Sequence, residues 1–167
     1  QFPHLHFQVF RGNQYVDPFT GPEQKTPCKA GSGSLWKKKV LAMMPYRPTA
    51  IYTAGFAGEK ASPVKARAGD YNGKVLSRLA PAIVLWVDIF NARKGDKLTF
   101  KITAPDGREI FDNAIRLGGN SARRFRFAGL RRRSGIWPAG LYKGEARLKR
   151  QGDPFSPYIV RREVILK

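Results

Sequence analysis

The sequence predicts a mostly β protein that ends in an antiparallel β-sandwich, and three observations support this fold class. Residues 80–167 contain six short runs rich in β-branched and aromatic residues, separated by turn residues. In one of these runs, Lys97–Thr103, apolar residues alternate strictly with polar ones, as in a strand with one buried face. Hydrophobic residues make up 42% of the 167-residue chain, which suffices for a packed core.

The first predicted element is a β-hairpin within residues 1–22. Two extended runs flank a turn at Arg11-Gly12-Asn13, where the glycine lets the backbone reverse its direction. The six residues from Asp17 onward carry two prolines and one glycine, which end the strand pattern. We therefore expect residues 1–22 to form one structural piece.

Residues 23–79 are predicted to form a linker region with one short helix and one strand. Ser34 can cap a helix over residues 34–44, which the following proline would end. The run Ala50–Phe56 predicts the strand. Glu59–Lys74 is polar and carries scattered glycine and proline, so we expect this segment to connect two bodies.

Residues 80–167 are predicted to form a separate sandwich. Its expected strands are Ile83–Phe90, Lys97–Thr103, Glu109–Asp112, Arg123–Phe127, Leu141–Lys149 and Tyr158–Leu166. We expect Trp86, Phe100, Ile102, Phe127 and Tyr142 in or near its core. The run that starts at Gly140 resembles the late strand of an immunoglobulin-like or fibronectin-like domain, so the expected architecture is an immunoglobulin-like sandwich.

The charge balance indicates an anionic partner. Lys and Arg number 31 against 12 Asp and Glu, which gives a formal net charge of +19. This balance excludes an acidic or calcium-rich module, and it favours nucleic acid, an anionic membrane surface or an acidic cell-wall polymer as partner. No run approaches the roughly 18 apolar residues of a membrane span, so none is expected.

Two basic runs near the end of the chain could suggest a nucleic-acid interface. Arginines interleaved with aromatic residues, as in Arg123–Phe127, can neutralise phosphates and stack on bases. The simpler interpretation is a strand with Phe125 and Phe127 in the core and Arg124 and Arg126 in water. No RNA-binding aromatic motif, zinc-finger spacing or helix-turn-helix spacing is present, so nucleic-acid binding is the least favoured function.

The single cysteine and the start of the chain point to a longer protein. Cys28 excludes an internal disulfide, and it is either a lone thiol or the partner of a cysteine elsewhere. The chain opens at Gln1 without a leader-like segment and enters strand-like sequence at once. We expect that further sequence precedes it.

His4 and His6, the only two histidines, form the one cluster of side chains that could bind a metal or catalyse a reaction. They lie two residues apart in a predicted strand, so both imidazoles should project from the same face. Such a pair can bring two nitrogens to one zinc ion, or place one on the metal and the other near its bound water. The alternative is an exposed strand that binds no metal.

The residues around this pair carry a family resemblance. The phrase Phe2-Pro3-His4-Leu5-His6-Phe7-Gln8-Val9, followed by a turn and then Val16-Asp17-Pro18, resembles the closing segment of lysostaphin/LytM-type zinc metalloendopeptidases. The family usually has Glu where this chain has Gln8, which changes no metal ligand. The remainder of the chain, including Gly135-Ile136-Trp137-Pro138, resembles the extra C-terminal region of a proteobacterial branch of that family.

The resemblance implies that His6 is a zinc ligand and that His4 is a non-ligand histidine that positions or deprotonates the attacking water. It also implies cleavage of peptidoglycan peptide cross-links in the bacterial periplasm or cell envelope. The family's other zinc ligands, a His and an Asp, come from upstream sequence, so zinc is expected only when those ligands are supplied. Either the catalytic half lies outside this chain or the fold has been kept without the chemistry, as a non-catalytic envelope or complex subunit that docks through its basic sandwich.

Overall fold

The computed structural model describes residues 7–22 and 33–167, which belong to two compact units, Gln1–Pro48 and Thr49–Lys167. In the first unit, strands β1 (Val9–Arg11) and β2 (Gln14–Val16) pair antiparallel across a two-residue turn. Gly12 takes a φ of 59° in this turn, a conformation that glycine adopts at little cost. The hairpin prediction is confirmed for its described part.

The helix of the first unit, α1 (Lys38–Met43), begins later than expected. Ser34 does not cap it: the Ser34 hydroxyl donates to the carbonyl of Pro18 at 3.0 Å and accepts from the Trp36 amide at 3.2 Å. The predicted cap was wrong because the serine side chain bonds to the loop after the hairpin. Lys37, at the N-cap position, provides no side-chain cap.

The second unit is a β-sandwich with one additional helix, which confirms the predicted fold class. In chain order its elements are β3 (Ala50–Ala57), α2 (Pro63–Ala68), β4 (Val75–Leu76), β5 (Ala82–Ala92), β6 (Lys97–Thr103), β7 (Glu109–Arg116), β8 (Ser121–Arg131), β9 (Gly140–Lys149) and β10 (Tyr158–Leu166). One sheet has the order β4-β10-β9-β6-β7 and the other β3-β5-β8. All pairs are antiparallel except β4 with β10.

The main core fills the space between the two sheets. Phe100, Ile102 and Tyr142 are at most 1% exposed there, as predicted. The Tyr142 hydroxyl donates to the carbonyl of Pro138 at 3.1 Å, a backward bond similar to the tyrosine corner of immunoglobulin-like sandwiches. Glycine is required at Gly144 because a Cβ there would lie 2.6 Å from the Phe56 ring.

A second apolar cluster lies on the outer face of the three-stranded sheet. Trp86, 2% exposed, packs there with small residues of β3 and β5 rather than in the main core. Residues 58–74 cover this face, and α2 begins at the N-cap Ser62 and ends at Gly69, whose φ is 90°. The segment Glu59–Lys74 therefore covers a sheet of the sandwich and does not connect two bodies.

The sandwich unit also starts earlier than residue 80. Strand β3, which sequence analysis placed in the linker region, pairs with β5 along its whole length. β4, which the sequence did not predict, adds a parallel edge to β10. The compact unit consequently begins at Thr49, which is fully buried and whose hydroxyl donates to the carbonyl of Phe90 at 2.7 Å.

The side chains of strand β8 point to the opposite faces from those predicted. Arg124 and Arg126 pair with the core residues Ile89 and Val87, so both arginines lie on the inner face of the sheet. Phe125 and Phe127 lie on the outer face, and Phe127 is 37% exposed. The prediction assumed that the outer face of this sheet is exposed to solvent. That face instead carries a second apolar cluster, against which Phe125 packs.

Candidate functional site

The two predicted site residues, His4 and His6, lie outside the described residues, and so does Cys28. The described part of the family phrase begins at Phe7, whose ring stacks on Trp36 with a centroid distance of 5.8 Å. The β1–β2 hairpin follows directly. The zinc-ligand role of His6 and the positioning role of His4 therefore remain predictions.

The turn after the hairpin is ordered by Asp17. Its side-chain Oδ1 accepts from the Phe19 amide at 2.8 Å, and its carbonyl accepts from the Gly21 amide at 2.7 Å. These bonds form an Asx-type turn, in which proline at the next position fits because its φ is already restricted. The Val16-Asp17-Pro18 segment is thus an ordered end of the hairpin.

The described residues do not form a metal site on their own. Within residues 7–22 and 33–167, no group of three His, Cys, Asp or Glu side chains is close enough to hold a metal ion. A catalytic zinc needs about three protein ligands and one open position.

A buried carboxylate anchors the cover of the three-stranded sheet. Asp88, with a side chain 1% exposed, accepts at its Oδ2 from Arg67 Nε at 3.2 Å and from Arg123 Nε at 2.9 Å. These bonds tie helix α2 and strand β8 to β5. Burial and, after it, the neighbouring Asp88 carboxylate raise the pKa of Tyr52 to about 12.

A basic cleft of about 460 Å³ lies where the edge of β3 approaches β10. Lys74, Arg161 and Arg162 line it, against one acid, Glu163. Arg162 Nε donates to the carbonyl of Ala54 at 2.9 Å, and Arg161 pairs with Glu145 at 2.8 Å. Both arginine side chains are thus already bonded, whereas the Lys74 ammonium forms no hydrogen bond or ion pair with the described residues.

The free edge of β8 carries a different set of cations. On the inner face, Arg124 and Arg126 are half-buried. Burial, with a smaller contribution from Arg124, lowers the pKa of Arg126. Among the described residues no carboxylate lies within 4.0 Å of either guanidinium, in contrast to Arg150, whose guanidinium forms two bonds with Asp96.

The sequence pattern predicted that the side chains of Arg124 and Arg126 face solvent, which was wrong. The alternation of Arg and Phe in β8 indicates a strand, but it does not determine which face of the strand packs against the core. A local signal did exist for helix α2, because Ser62-Pro63 and Gly69 mark its start and end. No local signal could link Lys74 to Arg161 and Arg162, because these residues are far apart in the chain.

Comparison with known proteins leaves the family open. No protein-family model matches this chain, and no curated protein matches it. Among solved structures, the chain is similar to a β-glucuronidase of Parabacteroides merdae, with a TM-score of 0.43 and 12% sequence identity. The similarity covers 71% of this chain and only 13% of that chain. No helix of the described residues is long and apolar enough to cross a membrane.

Proposed function

We propose that this chain is the C-terminal portion of a cell-envelope zinc metalloendopeptidase of the lysostaphin/LytM type, which cleaves peptide cross-links of peptidoglycan. One observation carries the proposal. The phrase Pro3-His4-Leu5-His6-Phe7 leads directly into a short antiparallel hairpin, β1 and β2, that ends in an Asp17-Pro18 turn. This is the order of segments at the end of that family's catalytic domain.

In this proposal His6 is a zinc ligand and His4 is a non-ligand histidine beside the metal. The chain contains no third histidine, so the remaining ligands come from sequence outside it. The chain alone is therefore expected to be inactive. The sandwich, with most of the positive charge, would hold the enzyme on anionic wall polymer.

The second candidate is a non-catalytic envelope or complex subunit. It is favoured by the formal net charge of +19 and by the half-buried Arg124 and Arg126, which lack carboxylate partners among the described residues. Such a protein would keep the hairpin as structure and would dock through the sandwich. Nucleic-acid binding is the third candidate, and the Phe125 ring, already stacked on Trp86, contributes little to it.

The test uses a longer chain that carries an upstream His and Asp of the family pattern. We expect this chain to bind zinc and to release dye from labelled cell walls, and we expect the 167-residue chain to do neither. His6→Ala should abolish both zinc binding and turnover. His4→Ala should retain zinc and lose about a hundredfold or more in turnover, because water activation and charge stabilisation contribute on that order.

Zinc content by elemental analysis separates the two histidine roles from each other. Gln14→Ala, an exposed position on β2, serves as the control and should behave like the wild type in both assays. If the longer chain binds no zinc and both histidine variants match the wild type, the peptidase proposal fails. The non-catalytic docking subunit then takes its place.

A further inference from the structure

We propose that the free edge of strand β8 binds an extended acidic segment of a partner polypeptide as an added β-strand. β8 spans eleven residues and pairs with β5 on one side; no strand of the described residues pairs with its other side. Along an antiparallel strand, every second residue directs its N–H and C=O away from the existing partner. The free edge therefore offers a row of backbone hydrogen-bonding groups.

The inner face of this edge favours carboxylates. Arg124 and Arg126 lie there, and their cross-strand neighbours Ile89 and Val87 are fully buried. The bonds of the two guanidiniums are to backbone carbonyls, from Arg124 Nη2 to Gly119 at 3.4 Å and from Arg126 Nη1 to Phe125 at 3.0 Å. The Arg124 Nε is buried without an acceptor among the described residues. Half-buried cations without counter-charge are costly, so an arriving carboxylate gains bidentate bonds and relieves that cost.

The outer face of the same edge favours apolar side chains. Phe125 and Phe127 lie there with their ring centroids 6.3 Å apart, and Phe127 is 37% exposed. A cleft of about 380 Å³ continues along the end of the strand, and Ala82, Val84 and Phe127 line it on this face. Apolar side chains of an added strand can therefore be covered on this side.

The alternation Arg-Phe-Arg-Phe in β8 determines which sequence pattern the partner strand needs. Directly opposed residues of two paired strands share a face, so the added segment needs acidic residues at alternate positions with apolar residues between them. A second copy of this chain paired through β8 does not meet that need, because β8 contains no acidic residue. A nucleic acid does not meet it either, because its phosphates cannot replace a strand's amides along the edge.

The experiment measures binding of the full chain to a labelled, end-blocked nine-residue peptide in which glutamate alternates with valine. We expect saturable binding by fluorescence anisotropy at physiological salt. Arg124→Gln with Arg126→Gln should weaken it about tenfold or more. Arg116→Gln with Arg133→Gln removes the same charge from exposed positions outside β8 and should change affinity by less than about twofold.

Four further probes need only the unmodified chain. A peptide N-methylated at every amide should not bind, because neither of its edges can donate hydrogen bonds to β8. A peptide of the same composition with all glutamates in one block should bind at least about tenfold more weakly, and a peptide with lysine in place of glutamate should not bind. A single-stranded nine-nucleotide DNA should compete poorly.

Equal binding of the N-methylated, block or lysine peptide would overturn the proposal. So would equal weakening by the Arg116/Arg133 control. DNA that competes as well as the alternating peptide, and whose own binding is lost on changing Arg124 and Arg126, would replace it with a nucleic-acid surface. These outcomes do not depend on zinc or on peptidoglycan hydrolysis, so this proposal and the peptidase proposal can fail separately.

Discussion

Single buried charges in this sandwich differ in whether they are paired. The buried Asp88 carboxylate accepts hydrogen bonds from two arginines and lies beside Tyr52, whereas the half-buried Arg124 and Arg126 donate only to backbone carbonyls among the described residues. The guanidinium of Arg123 also lies over the Tyr52 ring, 5.4 Å from its centroid. The protonation of Tyr52 is thus linked to the fold through Asp88 and Arg123.

Tyr52 should make the unit less stable in strong alkali. Its pKa is raised from 10.0 to about 12, so between these values the folded chain keeps the phenol proton that the unfolded chain releases. The stabilisation is complete below about pH 10 and is lost as the pH rises towards about 12. Urea unfolding at a series of alkaline pH values should show this fall.

Tyr52→Phe should reduce that slope, because the titrating hydroxyl is gone. Tyr15→Phe, which removes an exposed hydroxyl from β2, is the control and should keep the wild-type slope. If Tyr52→Phe and the wild type lose stability in parallel over this range, Tyr52 is not the group responsible.

At the scale of elements, one ion pair joins the β5–β6 turn to the end of β9. Arg150 Nη2 lies 2.7 Å from Asp96 Oδ2, with both side chains at most 7% exposed. The same guanidinium donates to the carbonyl of Asn91, and Asp96 Oδ2 accepts from the Arg93 amide at 2.9 Å. The Asp96 carboxylate thereby raises the pKa of Arg150.

Asp96→Asn should destabilise the sandwich by about 3–5 kcal/mol, because it leaves the Arg150 guanidinium buried without its counter-charge. Asp106→Asn makes the same chemical change at an exposed carboxylate paired with Arg108 and should have little effect. Chemical denaturation of both variants gives the comparison. Equal losses would show that the Asp96–Arg150 pair does not join the two elements.

At the scale of the whole molecule, the sandwich depends on strands on both sides of the predicted boundary. β3 provides Ala54 and Phe56 to the main core, and β4 adds an edge to the five-stranded sheet. Both strands precede residue 80. A chain cut at the predicted boundary would lose them and would expose the edge of β5 that pairs with β3, from Val84 to Phe90.

We therefore expect a fragment of residues 49–167 to fold and a fragment of residues 80–167 to fail. The longer fragment should give a cooperative thermal transition by circular dichroism and dispersed amide signals by NMR. The shorter one should give neither, because Leu85 and Val87 would lose the neighbours that bury them. Cooperative unfolding of the shorter fragment would restore the boundary at residue 80.

The sequence by itself determined where most of the strands lie. Lys97–Thr103 and Tyr158–Leu166 match the observed strands residue for residue, and the hairpin turn at Gly12 was also predicted. These features follow from side-chain alternation and from glycine at a positive φ, which are properties of neighbouring residues. The predicted burial of Phe100, Ile102 and Tyr142 follows from the same alternation, because each lies on the apolar face of its own strand.

Only the tertiary structure decided which face of β8 is inside and where the sandwich begins. Alternation in Arg123–Phe127 fixes that Arg124 and Arg126 share a face, and pairing of β8 with β5 decides that this face is the inner one. Likewise, the run at Ala50–Ala57 becomes part of the sandwich because it pairs with residues more than 25 positions later. Both outcomes depend on contacts between distant segments, which a local pattern of side chains does not encode.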